Sequence, residues 1–407
     1  MKSPLLKLPF SRHRHSPQSF PKFVLLVVLI LVFFTKITLY DALVASSAGA
    51  ADEDAAAYFV NLTECDIFRG KWKWDSEMPY YTNKNCFTIQ EHQNCLKYGR
   101  PDLSFLKWRW KPESCELPRF DAARFLNLVR HKSLAFVGDS LARNHMQSLL
   151  CVLSKVEHPK DISDSRDPNF KRMIFRSYGF TILIFWSPFL IKAHEIDSNG
   201  PTHTGLWNLY LDEADDNWAS QISRFDYIIM SASNWFTRSS MFYEKGRLVG
   251  CHYCLDDNVT DLTLRYSHRM AFRTALRTIN ELNFKGKMIL RTVSPSHFEN
   301  GEWNKGGNCM RTWPFRSNDT RLEGLEAEFY NMQVEEFREA EKEARKKGVK
   351  LMLMDTTEAM LLRPDGHPSR YGHRANEKVT LYNDCVHWCL PGPIDVWNDM
   401  LLQMLRV

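Results

Sequence analysis

A short apolar run, a glycine, a serine and a helical pattern together constrain the fold of this 407-residue chain more than any other segment. Residues 134–137 read Leu-Ala-Phe-Val, which predicts a buried strand. Gly138 permits a tight turn, and the apolar spacing of residues 141–152 predicts a helix that begins beside Ser140. A serine at such an elbow exposes its hydroxyl next to the free N–H groups of the first helical turn, which suit a developing oxyanion.

Serine is a weak nucleophile unless a base removes its proton, so a partner for Ser140 is needed. Asp384 and His387 lie three residues apart, and one turn of backbone can present both. Ser140, Asp384 and His387 in that chain order make a workable triad, although a helix N-cap is the alternative role for the serine. Asp139 is interpreted as a turn-shaping or helix-start residue. His367, in a loop with Pro and Gly, is the rival base.

After residue 119 the chain alternates between strand and helix patterns, which predicts an α/β fold with a parallel sheet and helices on both faces. The predicted strands are 134–137, 180–186, 227–230, 288–293 and 350–354, and the predicted helices are 119–129, 141–153, 264–282 and 321–347. Segments 155–178 and 187–220 are interpreted as loops or a small subdomain. Ligands of such sheets bind beyond the carboxyl ends of the strands, where Ser140 is expected.

The beginning of the chain has the pattern of a membrane-anchored leader. Residues 1–22 are basic and predict a cytosolic tail, and residues 23–44 are apolar apart from Lys36 and long enough for a transmembrane signal anchor. Residues 45–64 predict a short stem. A cleaved signal peptide is the alternative, because residues 48–50 resemble a processing site. Either interpretation places the rest of the chain in a lumen.

Ten cysteines without a clear metal pattern suit an oxidising compartment. Residues 65–118 are rich in Cys and Trp and poor in apolar periodicity, which predicts an irregular, disulfide-stapled layer. Its tryptophans either pack this layer down or stack on sugars. Cys251-x-x-Cys254, with Cys385 and Cys389 beside His387, leaves zinc as an alternative, but a lumenal setting favours disulfides and we expect no metal.

Three Asn-x-Thr triplets are candidate glycosylation sites, at Asn61, Asn258 and Asn318. The net charge of +5 is mild and comes partly from the basic tail. It therefore gives no reason to expect binding of nucleic acid.

Two blocks of the sequence, Gly138–His145 and Tyr382–Asn398, closely resemble the signature blocks of the plant trichome birefringence-like family. These are Golgi polysaccharide O-acetyltransferases related to the GDSL/SGNH esterases. The resemblance runs from about Cys65 to the end of the sequence, and also includes residues 108–112, 117–120 and 363–368. It implies a three-layer α/β/α catalytic domain of the SGNH type over residues 119–407, with the Cys- and Trp-rich region 65–118 folded against it.

The resemblance also implies roles for individual residues. It assigns Ser140, Asp384 and His387 to the catalytic triad. Candidates for the oxyanion or substrate are Gly138, Arg143, Asn144 and Asn234, although family members often carry His at the place of Asn234. His297 follows a strand and is expected to line the cleft. The disulfides implied by the family are Cys65–Cys115, Cys86–Cys151, Cys95–Cys389, Cys309–Cys385 and the local pair Cys251–Cys254.

The function implied by the resemblance is transfer of an acetyl group through acetyl-Ser140 to a hemicellulose hydroxyl. Cys251-x-x-Cys254, residues 297–301 and residues 391–395 resemble the branch that acetylates xyloglucan or mannan. We expect the side-chain galactose of xyloglucan as acceptor, with mannan and then xylan next in order. The donor is acetyl-CoA or another acetyl carrier, with a delivery protein as a candidate partner and no bound cofactor.

Two competing functions fit the same residues. An acetyl esterase would use the same triad with water as acceptor, and a non-catalytic wall-polymer binding protein would rely on the Cys- and Trp-rich region. The location implied by the resemblance is the Golgi membrane, in a single-pass type II orientation with the catalytic domain in the lumen.

Overall fold

The computed structural model describes residues 65–164, 167–196, 205–378 and 383–406. The tail 1–22, the anchor 23–44 and the stem 45–64 lie outside the described residues, and so does Asn61. Within the described ranges, none of the helices combines the length and apolar character that a bilayer crossing needs.

The described chain contains strands in three sheets and helices of four to 24 residues. The strands are β1 (Gly70–Trp74), β2 (Trp108–Pro112), β3 (Ser133–Gly138), β4 (Lys160–Asp161), β5 (Arg172–Phe175), β6 (Phe180–Trp186), β7 (Ile191–Glu195), β8 (Trp207–Ala214), β9 (Tyr227–Ser231), β10 (Ser240–Glu244), β11 (Arg247–His252), β12 (Lys287–Arg291) and β13 (Lys350–Met354). The helices are α1 (Ala122–Leu128), α2 (Ser140–Leu153), α3 (Asp216–Ala219), α4 (Thr263–Glu281), α5 (Gly324–Lys347), α6 (Thr357–Leu361) and α7 (Val396–Arg406).

The largest sheet has seven strands in the order β13-β12-β9-β3-β6-β5-β4. The five strands from β13 to β6 are parallel, which confirms the predicted core of the sheet. One edge departs from the predicted parallel sheet, because β5 and β4 run antiparallel there. These two strands lie in segment 155–178, which the sequence analysis interprets as a loop or small subdomain. With four and two residues they are too short for a clear alternating pattern.

A second sheet of four strands has the order β11-β10-β8-β7. Its strands β7 and β8 lie in segment 187–220, which the sequence analysis interprets as a loop or small subdomain. The alternating signal is present in β8, because Leu209 and Leu211 are buried while Tyr210 and Asp212, which alternate with them, are partly exposed. The described part of this segment is therefore ordered into strands.

Helices cover both faces of the large sheet, as the alternation of strand and helix predicts. On one face, Ala135 and Val137 of β3 belong to a buried cluster with residues of α4 and α5. On the other face, Phe136 contacts His145 of α2 at 5.1 Å between ring centroids, and His145 contacts Trp397 of α7 at the same separation. The sheet is therefore the middle of three layers, and α7 is a helix that the sequence analysis does not predict.

The Cys- and Trp-rich region contributes the antiparallel strand pair β1–β2 and otherwise largely irregular backbone. From Cys65 onward the chain forms one compact unit. All ten cysteines are described, and all are paired as the resemblance implies. The five disulfides are Cys65–Cys115, Cys86–Cys151, Cys95–Cys389, Cys251–Cys254 and Cys309–Cys385.

Candidate active site

The turn from β3 to α2 requires the glycine that the sequence supplies. Gly138 has a φ of +150°, and a Cβ atom at this position would lie 1.8 Å from the carbonyl oxygen of Ser231. Since Gly138 pairs with Ser231 of the adjacent strand β9, a side chain would push the two strands apart. The close approach holds the start of α2 at the carboxyl end of the sheet, with Ser140 as its first residue.

Asp139 shapes this turn, as the sequence analysis expects. One carboxylate oxygen accepts from the backbone N–H of Leu141 at 3.0 Å and thereby caps α2, while the other accepts from the N–H of Ser233 at 3.2 Å. The side chain is buried, and burial raises its pKa. Its oxygens face backbone donors, so Asp139 joins the nucleophile turn to the segment after β9.

The structure brings the three residues of the predicted triad into one hydrogen-bonded chain. Ser140 Oγ lies 2.7 Å from His387 Nε2, and His387 Nδ1 lies 2.8 Å from Asp384 Oδ2. The other oxygen of Asp384 accepts from the backbone N–H groups of Val386 and His387 at 3.1 and 3.0 Å. The carboxylate therefore fixes both the ring and the backbone of its histidine. This geometry can pass the serine proton to an oriented imidazole.

His387 and Asp384 each stabilise the charged form of the other. Burial disfavours the imidazolium of His387, but attraction to Asp384 and their hydrogen bond outweigh it and raise its pKa. Burial also disfavours the Asp384 carboxylate, but His387 and the backbone donors outweigh that effect, and its pKa stays below its ordinary value. Asp384 is consequently ionised across the physiological range and stabilises the imidazolium that forms when Ser140 loses its proton.

His367, the rival base, does not contact Ser140 among the hydrogen bonds described and instead holds the backbone of His387. It is buried, and its Nδ1 donates to the carbonyl oxygen of His387 at 2.7 Å, while its ring stacks on Trp388 at 4.0 Å between centroids. Its Nε2 lies 2.7 Å from Nδ1 of His297. His297 donates from Nε2 to the Leu361 carbonyl and is buried, so it braces His367 instead of lining an open cleft.

The candidate donors on α2 are held by other groups. Asn144 is fully buried, and its amide donates to the Trp388 carbonyl at 3.3 Å and accepts from the Trp388 N–H at 2.8 Å. It therefore positions the segment that carries His387. Arg143 donates to Asn169 Oδ1 at 3.0 Å and lies over the ring of Trp186. Burial lowers the pKa of Arg143.

Asn234, the fourth candidate, follows β9 at the same edge of the sheet. It begins a short 3-10 turn directly after Ser233, whose N–H contacts Asp139, and its side chain is partly exposed. Asn234 thus lies near the nucleophile turn, and its role as an oxyanion donor stays a prediction.

Comparison with known proteins identifies the family of this arrangement. A family profile described as "GDSL/SGNH-like Acyl-Esterase family found in Pmr5 and Cas1p", the PC-esterase family, matches residues 117–404, and the PMR5 N terminal Domain matches residues 63–116. The chain belongs to the PC-esterase family.

Its relatives include trichome birefringence-like proteins and proteins named as acetyltransferases. Protein trichome birefringence-like 19 of Arabidopsis thaliana is 56% identical over 345 residues, which cover 84% of this chain and 81% of that protein. Xyloglucan O-acetyltransferase 4 of Populus trichocarpa is 49% identical over 346 residues, covering 84% and 81%. Xyloglucan O-acetyltransferase 2 of Arabidopsis thaliana is 40% identical over 391 residues, covering 95% and 93%. The predicted family resemblance is confirmed.

One residue of this PC-esterase site was missed by sequence reasoning. The ring of His92 contacts that of His387 edge to face, with 5.1 Å between centroids. Burial, followed by repulsion from the charged form of His387, lowers the pKa of His92 to about 4. His92 is therefore neutral where His387 titrates. The signal was indirect: Cys95 is expected to pair with Cys389, so the residues around Cys95 must lie beside the base.

Two disulfides anchor the segment that carries Asp384 and His387. Cys309–Cys385 closes directly after Asp384, and Cys95–Cys389 closes two residues after His387. The zinc alternative needs thiolates from Cys251 and Cys254, but these two form a disulfide with each other. Among the described residues, no group of three or more His, Cys, Asp or Glu side chains is arranged to hold a metal.

Proposed function

We propose that this chain is a polysaccharide O-acetyltransferase that works by double displacement through acetyl-Ser140. The observation that carries the proposal is the hydrogen-bonded chain from Ser140 through His387 to Asp384. The named acetyltransferase activity of relatives that share most of its length supports transfer to a polysaccharide.

In the first half of the reaction, His387 Nε2 takes the proton of Ser140 while Ser140 Oγ attacks the acetyl carbonyl of the donor. The bond between the acetyl carbon and the donor breaks, and the leaving group takes the proton from His387. In the second half, a sugar hydroxyl gives its proton to His387 and attacks acetyl-Ser140, which releases the acetylated sugar and restores the serine. The donor in this proposal is acetyl-CoA or another acetyl carrier, used as a co-substrate and supplied by a delivery protein where the carrier requires one.

Backbone donors at the start of α2 stabilise the negative oxygen of each tetrahedral intermediate in this scheme. The N–H of Leu141 is occupied by the Asp139 carboxylate and that of Arg143 by the Asp139 carbonyl. The N–H groups of Ser140 and Ala142 are therefore the first-turn donors that we assign to the oxyanion. Asn234 is the side-chain candidate for the same role.

The acceptor in our proposal is a hemicellulose, with the side-chain galactose of xyloglucan as first choice. Several relatives, from poplar and from Arabidopsis thaliana, are named xyloglucan O-acetyltransferases. Mannan and xylan are the next acceptors to test. We further propose that the chain works on the lumenal side of the Golgi membrane in a type II orientation, and its five disulfides agree with an oxidising compartment.

The test uses the full chain, produced in a host that forms disulfides. The chain is incubated with acetyl-CoA or another acetyl donor and with xyloglucan, mannan and xylan oligosaccharides, and products are read by mass. We expect one added acetyl group on xyloglucan oligosaccharides and a loss of about 10³-fold or more in Ser140→Ala. Ser154→Ala is the matched control, because Ser154 lies at the other end of the same helix and bonds only to the carbonyl of Leu150 among the contacts described.

The outcomes separate the competing functions. Release of free acetate that depends on Ser140, without acetylated sugar, would identify an esterase. Full activity in a folded Ser140→Ala protein would refute the triad. Glycan binding by the parent chain without turnover, unchanged in Ser140→Ala, would favour a wall-polymer binding protein.

A further inference from the structure

A cavity of about 220 Å³ lies along α2 on the side that carries the nucleophile. Arg143 and Gln147 line it, and they follow Ser140 at a spacing of three and then four residues, which places all three on one side of a helix. Gln147 lies seven residues beyond Ser140, or about 10 Å along the helix axis. We call this cavity the α2 pocket.

The α2 pocket is also connected to the base. Gln90 lines it from the Cys- and Trp-rich region, two residues before His92, whose ring contacts His387. The pocket therefore lies between α2 and the part of the Cys- and Trp-rich region that contacts His387, within about two helical turns of Ser140.

Two amide oxygens at the α2 pocket have no hydrogen-bond partner within the protein. They are Oε1 of Gln147, which is 7% exposed, and Oε1 of Gln90. The Nε of Arg143, which also lines the pocket, is a buried donor without a partner. Buried polar groups in proteins are normally hydrogen-bonded, so two unpaired amides at one pocket indicate that a polar partner is missing there. The oxygens are enclosed by protein as placed, and rotation of the amide presents either its oxygen or its NH2 group to the pocket. A ligand must therefore donate to or accept from the two amides, and hydroxyl groups do both.

The charges around the α2 pocket disfavour an anionic ligand. Lys171 is paired with Asp161 at 2.9 Å. The guanidinium of Arg143 already donates to Asn169 and covers Trp186. Lys171 is therefore balanced by Asp161, the Arg143 guanidinium is partly engaged, and the acidic side chain of Asp161 would repel a phosphate or carboxylate.

The remaining walls are apolar, with Met146, Leu150, Met173 and Ile184 among the lining residues. A sugar ring has hydroxyl groups at its edge and C–H groups on its faces, so it matches polar oxygens on one side and apolar walls on the other. The volume is below the roughly 300–1,000 Å³ of sites for drug-sized ligands, which fits one sugar unit better than a large carrier.

We propose that the α2 pocket binds one neutral sugar unit of the acceptor polysaccharide, through hydroxyl groups that hydrogen-bond to the side-chain amides of Gln147 and Gln90. The proposal rests on the proposed acetyltransferase function, since it names a subsite for the acceptor. The sugar in the α2 pocket is a neighbour of the one acetylated at Ser140. Its binding sets which part of the glycan reaches the nucleophile.

The test measures glycan binding by calorimetry in Ser140→Ala protein, so that no turnover interferes. The probe is a galactosylated xyloglucan oligosaccharide, and the second variants are Gln147→Met and Gln90→Met, which keep the side-chain length and remove the amide. We expect each to weaken binding about tenfold or more. Gln221→Met is the matched control, because Gln221 is exposed and bonds to Asn217, and it should leave the affinity unchanged.

The melting temperature separates a binding role from a structural one. Removing an unpaired buried amide oxygen does not break a hydrogen bond within the protein, so Gln147→Met should melt no lower than its parent. Weaker binding with an unchanged melting temperature supports the subsite. Unchanged affinity in both Gln147→Met and Gln90→Met would overturn it, and so would a parent that does not bind the oligosaccharide.

The two proposals can fail separately. If the parent chain transfers acetyl groups but its glycan affinity does not depend on Gln147 or Gln90, the α2 pocket proposal fails alone. If glycan binding depends on these residues but no acetylated glycan forms, the acetyltransferase proposal fails and the sugar-binding pocket stands.

Discussion

Replacing Asn144 by leucine tests whether α2, which begins at Ser140, holds the segment around His387 in place. The two residues joined, Asn144 and Trp388, are 244 positions apart, and Trp388 directly follows His387. Leucine has a similar volume and removes both hydrogen bonds at once. The change therefore leaves the N–H and C=O groups of Trp388 buried without their partner.

The expected cost follows from those two groups. A buried donor or acceptor left unpaired costs about 1–3 kcal/mol, so Asn144→Leu should lower the free energy of unfolding by about 2–6 kcal/mol. The backbone beside His387 also loses its fixed position. A displacement of about 1 Å in a catalytic group can cost about 10²-fold in rate, and we expect a loss of that order in kcat for the molecules that remain folded.

The free energy of unfolding is measured by urea denaturation, and kcat by acetyl release from an activated ester under conditions where the protein is folded. Asn280→Leu is the control, since Asn280 is buried and donates to the Ala340 carbonyl at 2.9 Å, between α4 and α5. It should lose stability but keep its kcat. A loss below about 1 kcal/mol in Asn144→Leu, together with normal turnover, would falsify the positioning role.

Two further perturbations follow from the same geometry. Burial lowers and Asp384 raises the pKa of His387, with a net increase, so kcat/KM should fall as pH drops through a value above the ordinary pKa of the imidazole. Asp384→Asn should move that midpoint to lower pH and reduce the maximal rate, and an unmoved midpoint in the pH–rate profile would contradict the pairing. Gly138→Ala should destabilise the fold by about 2–6 kcal/mol in urea denaturation, because it adds a clash with Ser231 to an unfavourable φ. Gly99→Ala, which has a φ of +75° and open space around it, should cost only about 1–2 kcal/mol, and equal losses would show that the clash is relieved.

The sequence predicted the parts of the molecule where local pattern and packing agree. The apolar run before Gly138 forms a strand buried on both faces, and such runs are readable without knowledge of the neighbours. The short antiparallel strands β4 and β5 were missed, because their pairing is decided by the edge of β6 and not by their own composition. Hydrophobic periodicity therefore could not predict that the strands at this edge of the sheet run antiparallel.

The site shows the same division. Ser140, Asp384 and His387 were predicted from a motif and a spacing, but the roles of Asn144 and His367 depend on which backbone groups face them after folding. The amide of Asn144, one helical turn after Ser140, could point to substrate or to Trp388. Which of the two it contacts depends on how the distant segment 384–389 packs against α2. His92 carried no local signal at all, because its place beside the triad is set by the Cys95–Cys389 disulfide.

The long separation of Cys95 from Cys389 also determines the order in which disulfides can form during synthesis. Their sequence separation of 294 means that, at a synthesis rate of about 5–20 residues per second, Cys389 follows Cys95 by about 15–60 s. Cys86 meets Cys151 after only 65 positions, so the helix of the nucleophile can be fastened early. His387 is synthesised long after Ser140, and the Cys95–Cys389 disulfide beside it can form only after that. In the mechanism that we propose, a nascent chain therefore holds Ser140 without His387 for 247 positions of synthesis, and it becomes able to react only after the segment around His387 has folded.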